Sequence, residues 1–249
     1  FRSEAELRTL RRIAEQDEFE VEAGDASALR VLALAAAARP QRPGFTLGPH
    51  INVYSRDALQ EHAALGATRW VPPLELSLDA IDRANPPQAP VLGPAGPVQT
   101  EVFVFGRLPL AFSARCFTAR HHRLNKDECE FRCRDDADGL LLQTSEGDPF
   151  LVLNGIQTQS AALQALIGEG AALRAAGARA VRLSPCSRGF ARVLALFDAV
   201  LNHGADADAA RAELGTLGLP GALVDGFAHR RPGMQAIPDQ LAVALPPGS

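Results

Sequence analysis

The sequence predicts an α/β fold, a (β/α) TIM-barrel-like arrangement incomplete at its amino terminus. Three observations predict it. Short apolar runs alternate with longer amphipathic runs along the chain, the mark of strands followed by helices. About five such strand–helix units are legible, so a complete eight-unit barrel needs two or three more. The chain opens at Phe1 with residues that already read as the middle of a domain, and further units are expected before it. An open doubly wound sheet is the alternative. Neither a Gly-rich dinucleotide fingerprint nor a phosphate-binding loop is visible. One partial barrel domain is expected over 1–249, with a cysteine-bearing segment at 113–138.

The elements follow from pattern and punctuation. Leu7, Leu10, Ile13 and Ala14 recur at helical spacing, predicting a helix over 4–17 and a short strand over 18–23. Asp25 or Ser27 caps an Ala-rich helix ending near Arg39, before Pro40. A strand is predicted over 45–53 and a helix over 56–65, closed by Gly66. Residues 69–71 and 74–76 read as one extended run interrupted by Pro72 and Pro73. A short helix over 78–84, a Pro/Gly loop over 85–98 and a strand over 101–105 come next. After the cysteine segment the pattern predicts a strand over 150–153, a helix over 158–175, a strand over 180–183 and a helix over 190–202. The tail from about Gly218 reads as irregular.

Composition excludes several classes. The 249 residues are 47% hydrophobic and 22% charged, enough for a full core. The net charge of -4 and the lack of a basic stripe argue against a nucleic-acid partner. No apolar run is long enough to span a bilayer. Lys126 is the only lysine among many arginines, which we read as genomic composition rather than chemistry.

The densest chemistry is a run of three cysteines, Cys116, Cys129 and Cys133, spaced C-x12-C-x3-C in a strongly charged stretch. Crowded thiolates repel unless a metal centre or oxidation neutralises them. An iron–sulfur cluster tolerates such irregular spacing and usually takes four thiolates. Structural zinc prefers paired knuckles, and only Cys129 and Cys133 form one. A disulfide requires an oxidising compartment. Three unrelated thiols remain the bland reading. Cys186, after a strand, is a candidate fourth ligand or a small buried residue; His121 and His122 are candidate ligands or solvated side chains. Arg115, Arg120 and Arg132 lie near the thiols in sequence and either offset a cluster's charge or are solvated.

In a β/α barrel, function gathers where strands end. That criterion selects His50, Asn52, Glu75 and Asn154. Glu75 either forms a salt bridge with Arg69 or Arg115 or serves chemistry. Asn154 before Gly155 either acts or closes a turn, and His50 is equally a structural histidine. No G-x-S-x-G elbow or HExxH helix is present.

The segments Ser113-Ala114-Arg115-Cys116-Phe117-Thr118-Ala119-Arg120, Lys126-Asp127-Glu128-Cys129, Cys133 and Val152-Leu153-Asn154-Gly155-Ile156-Gln157-Thr158 occur in that order. So do Pro73-Leu74-Glu75-Leu76-Ser77, Val181-Arg182-Leu183-Ser184-Pro185 and Arg231-Pro232-Gly233-Met234. Together they resemble the ubiquinone-biosynthesis branch of the collagenase-like peptidase family U-32. The resemblance implies a β/α barrel with a [4Fe-4S] cluster on Cys116, Cys129 and Cys133, and a fourth cysteine in an amino-terminal region preceding this chain. Cys186 falls on no ligand position of the family. The resemblance also implies a heterodimer with a UbiU-like protein, oxygen-independent ring hydroxylation with prephenate as oxygen donor, a lipid-carrier accessory protein and a cytoplasmic location. Proteolysis is not expected of this branch; a non-catalytic, metal-stabilised (zinc or Fe-S) partner role is the first alternative and a U-32-type peptidase the second. Gly226-Phe227-Ala228 departs from the family's Gly-Tyr-Trp.

Overall fold

The computed structural model describes residues 3–16, 18–39, 44–125 and 128–236. It is a mixed α/β structure whose chain divides into two compact units, one from residues 1–103 and 171–182, the other from 104–170 and 183–249.

The first unit is built on parallel strands with helical crossovers. Ser3 caps α1 (Glu4–Glu15) by accepting from the Glu6 N–H. Strand β1 (Glu22–Ala23) is shorter than the predicted 18–23. Asp25 caps α2 (Ala26–Ala38), its carboxylate accepting from the Ala28 N–H at 2.8 Å. Strand β2 (Phe45–Leu47) stops well before Val53, because Pro49 has no N–H for a ladder and opens the 3-10 turn Pro49–Ile51 instead. Ser55 caps α3 (Arg56–Ala64), and Gly66 ends it at a φ of 103°. Strand β3 (Ala67–Trp70) follows. The extended run expected over 74–76 is a turn, with the Leu76 N–H bonded to the Pro73 carbonyl at 3.0 Å. Ser77 caps α4 (Leu78–Ala84).

The predicted loop 85–98 contains a small hairpin of β4 (Leu92–Gly93) and β5 (Gly96–Pro97). Buried Asn85 organises it. Its amide donates to the Val98 carbonyl and the Thr100 hydroxyl, both at 2.9 Å, and its oxygen accepts from the Val91 N–H at 2.8 Å. Strand β6 (Gln99–Phe112) is much longer than the predicted 101–105. In this unit β1, β2, β3 and the start of β6 are parallel neighbours, with Glu22 opposite Thr46, Thr46 opposite Arg69 and Trp70 opposite Thr100. Side chains alternate between faces. Phe45, Leu47 and Trp70 are buried, as are Leu59 and Ala63 on α3 and Ile81 on α4.

The second unit departs from the parallel expectation. Its strands are the remainder of β6, β7 (Leu140–Gln143), β8 (Pro149–Asn154) and β9 (Gln157–Ala165), with α5 (Phe117–His121) between β6 and β7. They pair antiparallel as β6–β9–β8–β7. The helix predicted over 158–175 is therefore wrong over its first half. Ala, Leu and Gln favour a helix in isolation, but β9 lies between two strands, and Ala161, Leu163 and Ala165 are buried at every second position. Only α6 (Gly170–Ala175) is helical; it and β10 (Ala178–Leu183), which pairs with β6, belong almost wholly to the first unit.

The second unit closes with α7 (Phe190–His203), α8 (Ala207–Thr216) and β11 (Leu223–Val224), the last parallel to β9. Strand β11 interrupts the expected irregular tail. Phe105 packs against Phe190 and Phe197 with ring centroids 6.4 and 5.8 Å apart. Gly106, at a φ of 120°, lies where an added Cβ would come within 2.6 Å of the Ser184 side chain. No helix among the described residues is long and apolar enough to cross a membrane.

Candidate functional site

The cysteine segment is anchored to the turn between β8 and β9. The Ser113 N–H donates to the Ile156 carbonyl and the Phe117 N–H to the Gly155 carbonyl, both at 2.8 Å. The Gly155 N–H returns to the Thr118 hydroxyl at 3.1 Å. Thr118 and Ala119 are buried beneath this junction. Two stretches some forty residues apart, 113–120 and 152–158, thus form one hydrogen-bonded unit.

Cys116 is the cap of α5, its sulfur accepting from the Ala119 N–H at 3.4 Å. Cys133 lies in the 3-10 turn Arg132–Arg134, which packs against α5. Between the cysteines of the knuckle, Glu130 and Phe131 adopt left-handed backbone at φ of 50° and 57°, a conformation that costs non-glycine residues about 1 kcal/mol each. Cys116, Cys129 and Cys133 are free thiols, each half-buried. Lys126 and Asp127 lie outside the described residues.

The surroundings are charged. Arg115, Arg120 and Arg132 are exposed. Arg132 lies 3.7 Å from the Glu130 carboxylate and 3.5 Å from that of Asp135, both solvent-facing pairs of small worth. The Arg134 guanidinium sits 5.1 Å from the centre of the exposed Phe131 ring. His121 and His122 are exposed and stack edge to face on one another at 5.1 Å.

Cys186 belongs to the same unit. Its thiol donates to the Arg188 carbonyl at 3.1 Å. Burial, more than the nearby Asp138 carboxylate, pushes the thiol's pKa up, partly offset by the Arg188 backbone and the Arg107 guanidinium. Next to it, the Ser187 N–H and hydroxyl both donate to Asp138, tying this loop to the end of the cysteine segment.

The candidates at strand ends separate. His50 is half-buried in the 3-10 turn after β2, and exposed Asn52 takes a left-handed conformation at a φ of 62°. Glu75 is exposed; it pairs with neither Arg69 nor Arg115 but accepts a hydrogen bond from the Tyr54 hydroxyl. That bond, with burial and the carboxylate charge, pushes the Tyr54 pKa up to about 12. Asn154, opposite Gln157, belongs to an antiparallel hairpin rather than to a β/α rim.

Sequence reasoning missed a charged network on the parallel strands. Glu101, 8% exposed, accepts from Arg69 at 3.2 Å and from Arg182 at 2.6 Å. Arg69 reaches Glu20 at 3.3 Å, Arg182 reaches Glu22, and Thr46 donates to Glu20. Gly48 lets this network close, since an added Cβ would meet a Glu22 carboxylate oxygen at 2.6 Å. The available signal was the period-two placement of Glu20 with Glu22 and of Gln99 with Glu101, polar residues recurring on one strand face.

Residues 1–164 match the model of peptidase family U32. The chain belongs to this family. The matched span includes Cys116, Cys129 and Cys133, the charged network except Arg182, and all of β6 to β8; Cys186 lies beyond it. No solved structure matches the chain.

For a U32 protein with this motif, the donors fit a [4Fe-4S] cluster chemically, since its irons take cysteine sulfur. Two of the three thiols stand on adjoining elements, and the backbone N–H already aimed at the Cys116 sulfur suits a thiolate ligand. Among the described residues, no three His, Cys, Asp or Glu side chains are gathered into a group able to hold a metal ion.

Proposed function

We propose that this U32 chain is a UbiV-type subunit of an oxygen-independent ubiquinone-ring hydroxylase, with Cys116, Cys129 and Cys133 as three of four ligands of a [4Fe-4S] cluster. The fourth is a cysteine from the amino-terminal region of such proteins. The partner is a UbiU-like protein in a heterodimer, prephenate is the oxygen donor, and a lipid-carrier accessory protein presents the polyprenylated ring. The parallel strands are then part of one U32-type β/α barrel, acting in the cytoplasm.

One observation carries the reading. The hydrogen-bonded junction of 113–120 with 152–158 ties the first thiol's segment to the β8–β9 turn, so two of the segments that resemble the ubiquinone branch form one hydrogen-bonded unit. A cluster bound there supplies one-electron transfer. The chain's own residues would offset its charge: the Ala119 N–H donates to the Cys116 sulfur, and Arg115, Arg120 and Arg132 stand close to the ligands along the chain.

Anaerobic reconstitution of the full-length protein tests this. Iron and acid-labile sulfide are expected in equal amounts. Cys129→Ala is expected to lose both, together with ring hydroxylation without oxygen, while Cys186→Ala keeps them. Retained iron and hydroxylation in Cys129→Ala overturns the assignment. Zinc in place of iron after strictly anaerobic preparation points instead to a non-catalytic, metal-stabilised partner, and digestion of casein or collagen restores the peptidase reading.

A further inference from the structure

Strand β7 is the outermost strand of the antiparallel ladder in the second unit. It pairs with β8, and among the described residues no strand lies along its other side. Leu140 faces Leu153 across the ladder and Leu142 faces Leu151, so these four leucines share one sheet face. Leu141 and Phe150 point to the opposite face; both are 50% exposed, and Leu142 is 41% exposed. An open edge with apolar side chains on both faces is a template for another strand, and proteins ordinarily blunt such edges with charge, proline or a covering element. Here β7 itself carries no charge.

The charges stand at its two ends instead. Asp135, Asp136 and Asp138 precede β7; Glu146 and Asp148 follow it. With Arg134 as the only base, residues 134–148 hold a net charge of -4, equal to that of the entire chain. This pattern selects against a second copy. Antiparallel pairing of β7 with itself sets 135–138 of one copy beside 146–148 of the other, and parallel pairing sets each acidic end against its like. Either brings carboxylates together. It selects for an apolar strand with basic ends.

We propose that β7 is a docking edge for an extended segment of a partner protein, apolar in its centre and flanked by Lys or Arg, which adds to the sheet as a further strand. Main-chain hydrogen bonds supply the affinity. The leucines and Phe150 receive alternate side chains, and the acidic ends choose the partner by charge. The proposal is independent of the cluster reading, since it uses no cysteine.

The test uses two labelled peptides with the same centre, Arg-Lys-Val-Thr-Val-Thr-Val-Lys-Arg and its counterpart with Glu at the four basic positions. Fluorescence anisotropy is expected to show the basic peptide binding about tenfold or more tighter. The preference should shrink at about 0.5 M salt. Hydrogen exchange should show protection confined to β7 and its flanks. Glu146→Lys with Asp148→Lys should weaken or reverse the preference. Leu141→Lys, at a half-exposed position that keeps the ladder with β8, should weaken the basic peptide by about tenfold. Equal affinity for both peptides, absence of binding, protection elsewhere, or dimers of the chain that Leu141→Lys dissolves would each overturn the proposal.

Discussion

The hydroxyl of Tyr54 donates to the carboxylate of Glu75, joining the loop after β2 to the loop after β3. Tyr54 is the only tyrosine in the chain, so its ionisation can be followed alone. Its folded-state pKa is pushed up to about 12 from an ordinary 10, so above pH 10 the folded state holds a proton that the unfolded state has lost. The bond's contribution to stability is therefore complete below pH 10 and is lost as pH rises through 12. Ultraviolet difference titration of the phenolate should give a midpoint near 12 in the native chain, and a midpoint moved down toward about 10 in Glu75→Gln. An unchanged midpoint in the variant would show that burial, not the carboxylate, sets the shift.

Glu101 is the shared carboxylate of Arg69 and Arg182. Glu101→Ala leaves two guanidiniums facing each other. Removing one partner of a buried ion pair costs about 3–5 kcal/mol; here the arginines are about one-third exposed, and we expect about 2 kcal/mol. Urea unfolding followed by the fluorescence of Trp70, the single and fully buried tryptophan, measures it. Glu22→Ala, at a more exposed end of the network, should cost less.

Gly106 and Gly204 separate backbone strain from steric conflict. Both have positive φ, 120° and 69°. An added Cβ meets nothing within 4 Å at Gly204 but lies 2.6 Å from the Ser184 Cβ and 2.9 Å from its carbonyl oxygen at Gly106. Gly204→Ala should cost about 1 kcal/mol, and Gly106→Ala about 2–3 kcal/mol or the fold of the second unit. Thermal unfolding of the two variants gives the comparison.

Burial raises the pKa of the Cys186 thiol, with the Asp138 carboxylate adding to it. Alkylation proceeds through the thiolate, so its rate at this residue should rise only at a pH above that of a free cysteine, about 8.5. Peptide mass spectrometry of samples alkylated across a pH series reads the midpoint residue by residue. Asp138→Asn should lower it, because a like charge is removed.

Much of the first unit was legible because its signals are local. Asp25 caps α2 from a position the chain itself marks, and Gly66 ends α3 where the pattern breaks. The failure over 157–165 was decided by distant partners. The stretch 157–165 has helix-forming side chains but lies between β6 and β8, and neither neighbour is visible in its own composition. The pairing of Arg182 with Glu22 spans 160 residues, and no pattern along the chain announces it. Tyr54 escaped notice because an exposed tyrosine in a loop carries no motif; only its approach to Glu75 sets it apart. The motif surrounding Cys116 was readable in order, whereas its junction with the β8–β9 turn was not, because hydrogen bonds from Ser113 and Phe117 to that turn are a three-dimensional fact.

The division of the chain has a consequence for biosynthesis. Residues 171–182 complete the first unit although they are translated after most of the second unit's strands. On the ribosome, the nascent amino-terminal portion waits with Glu101 holding one guanidinium of its two until Arg182 emerges. Neither unit can be expressed alone by cutting the gene once, and cleavage after Phe103 would leave the buried Glu101 carboxylate in a fragment without Arg182. Premature termination anywhere before that arginine should therefore yield a product for proteases rather than a working half.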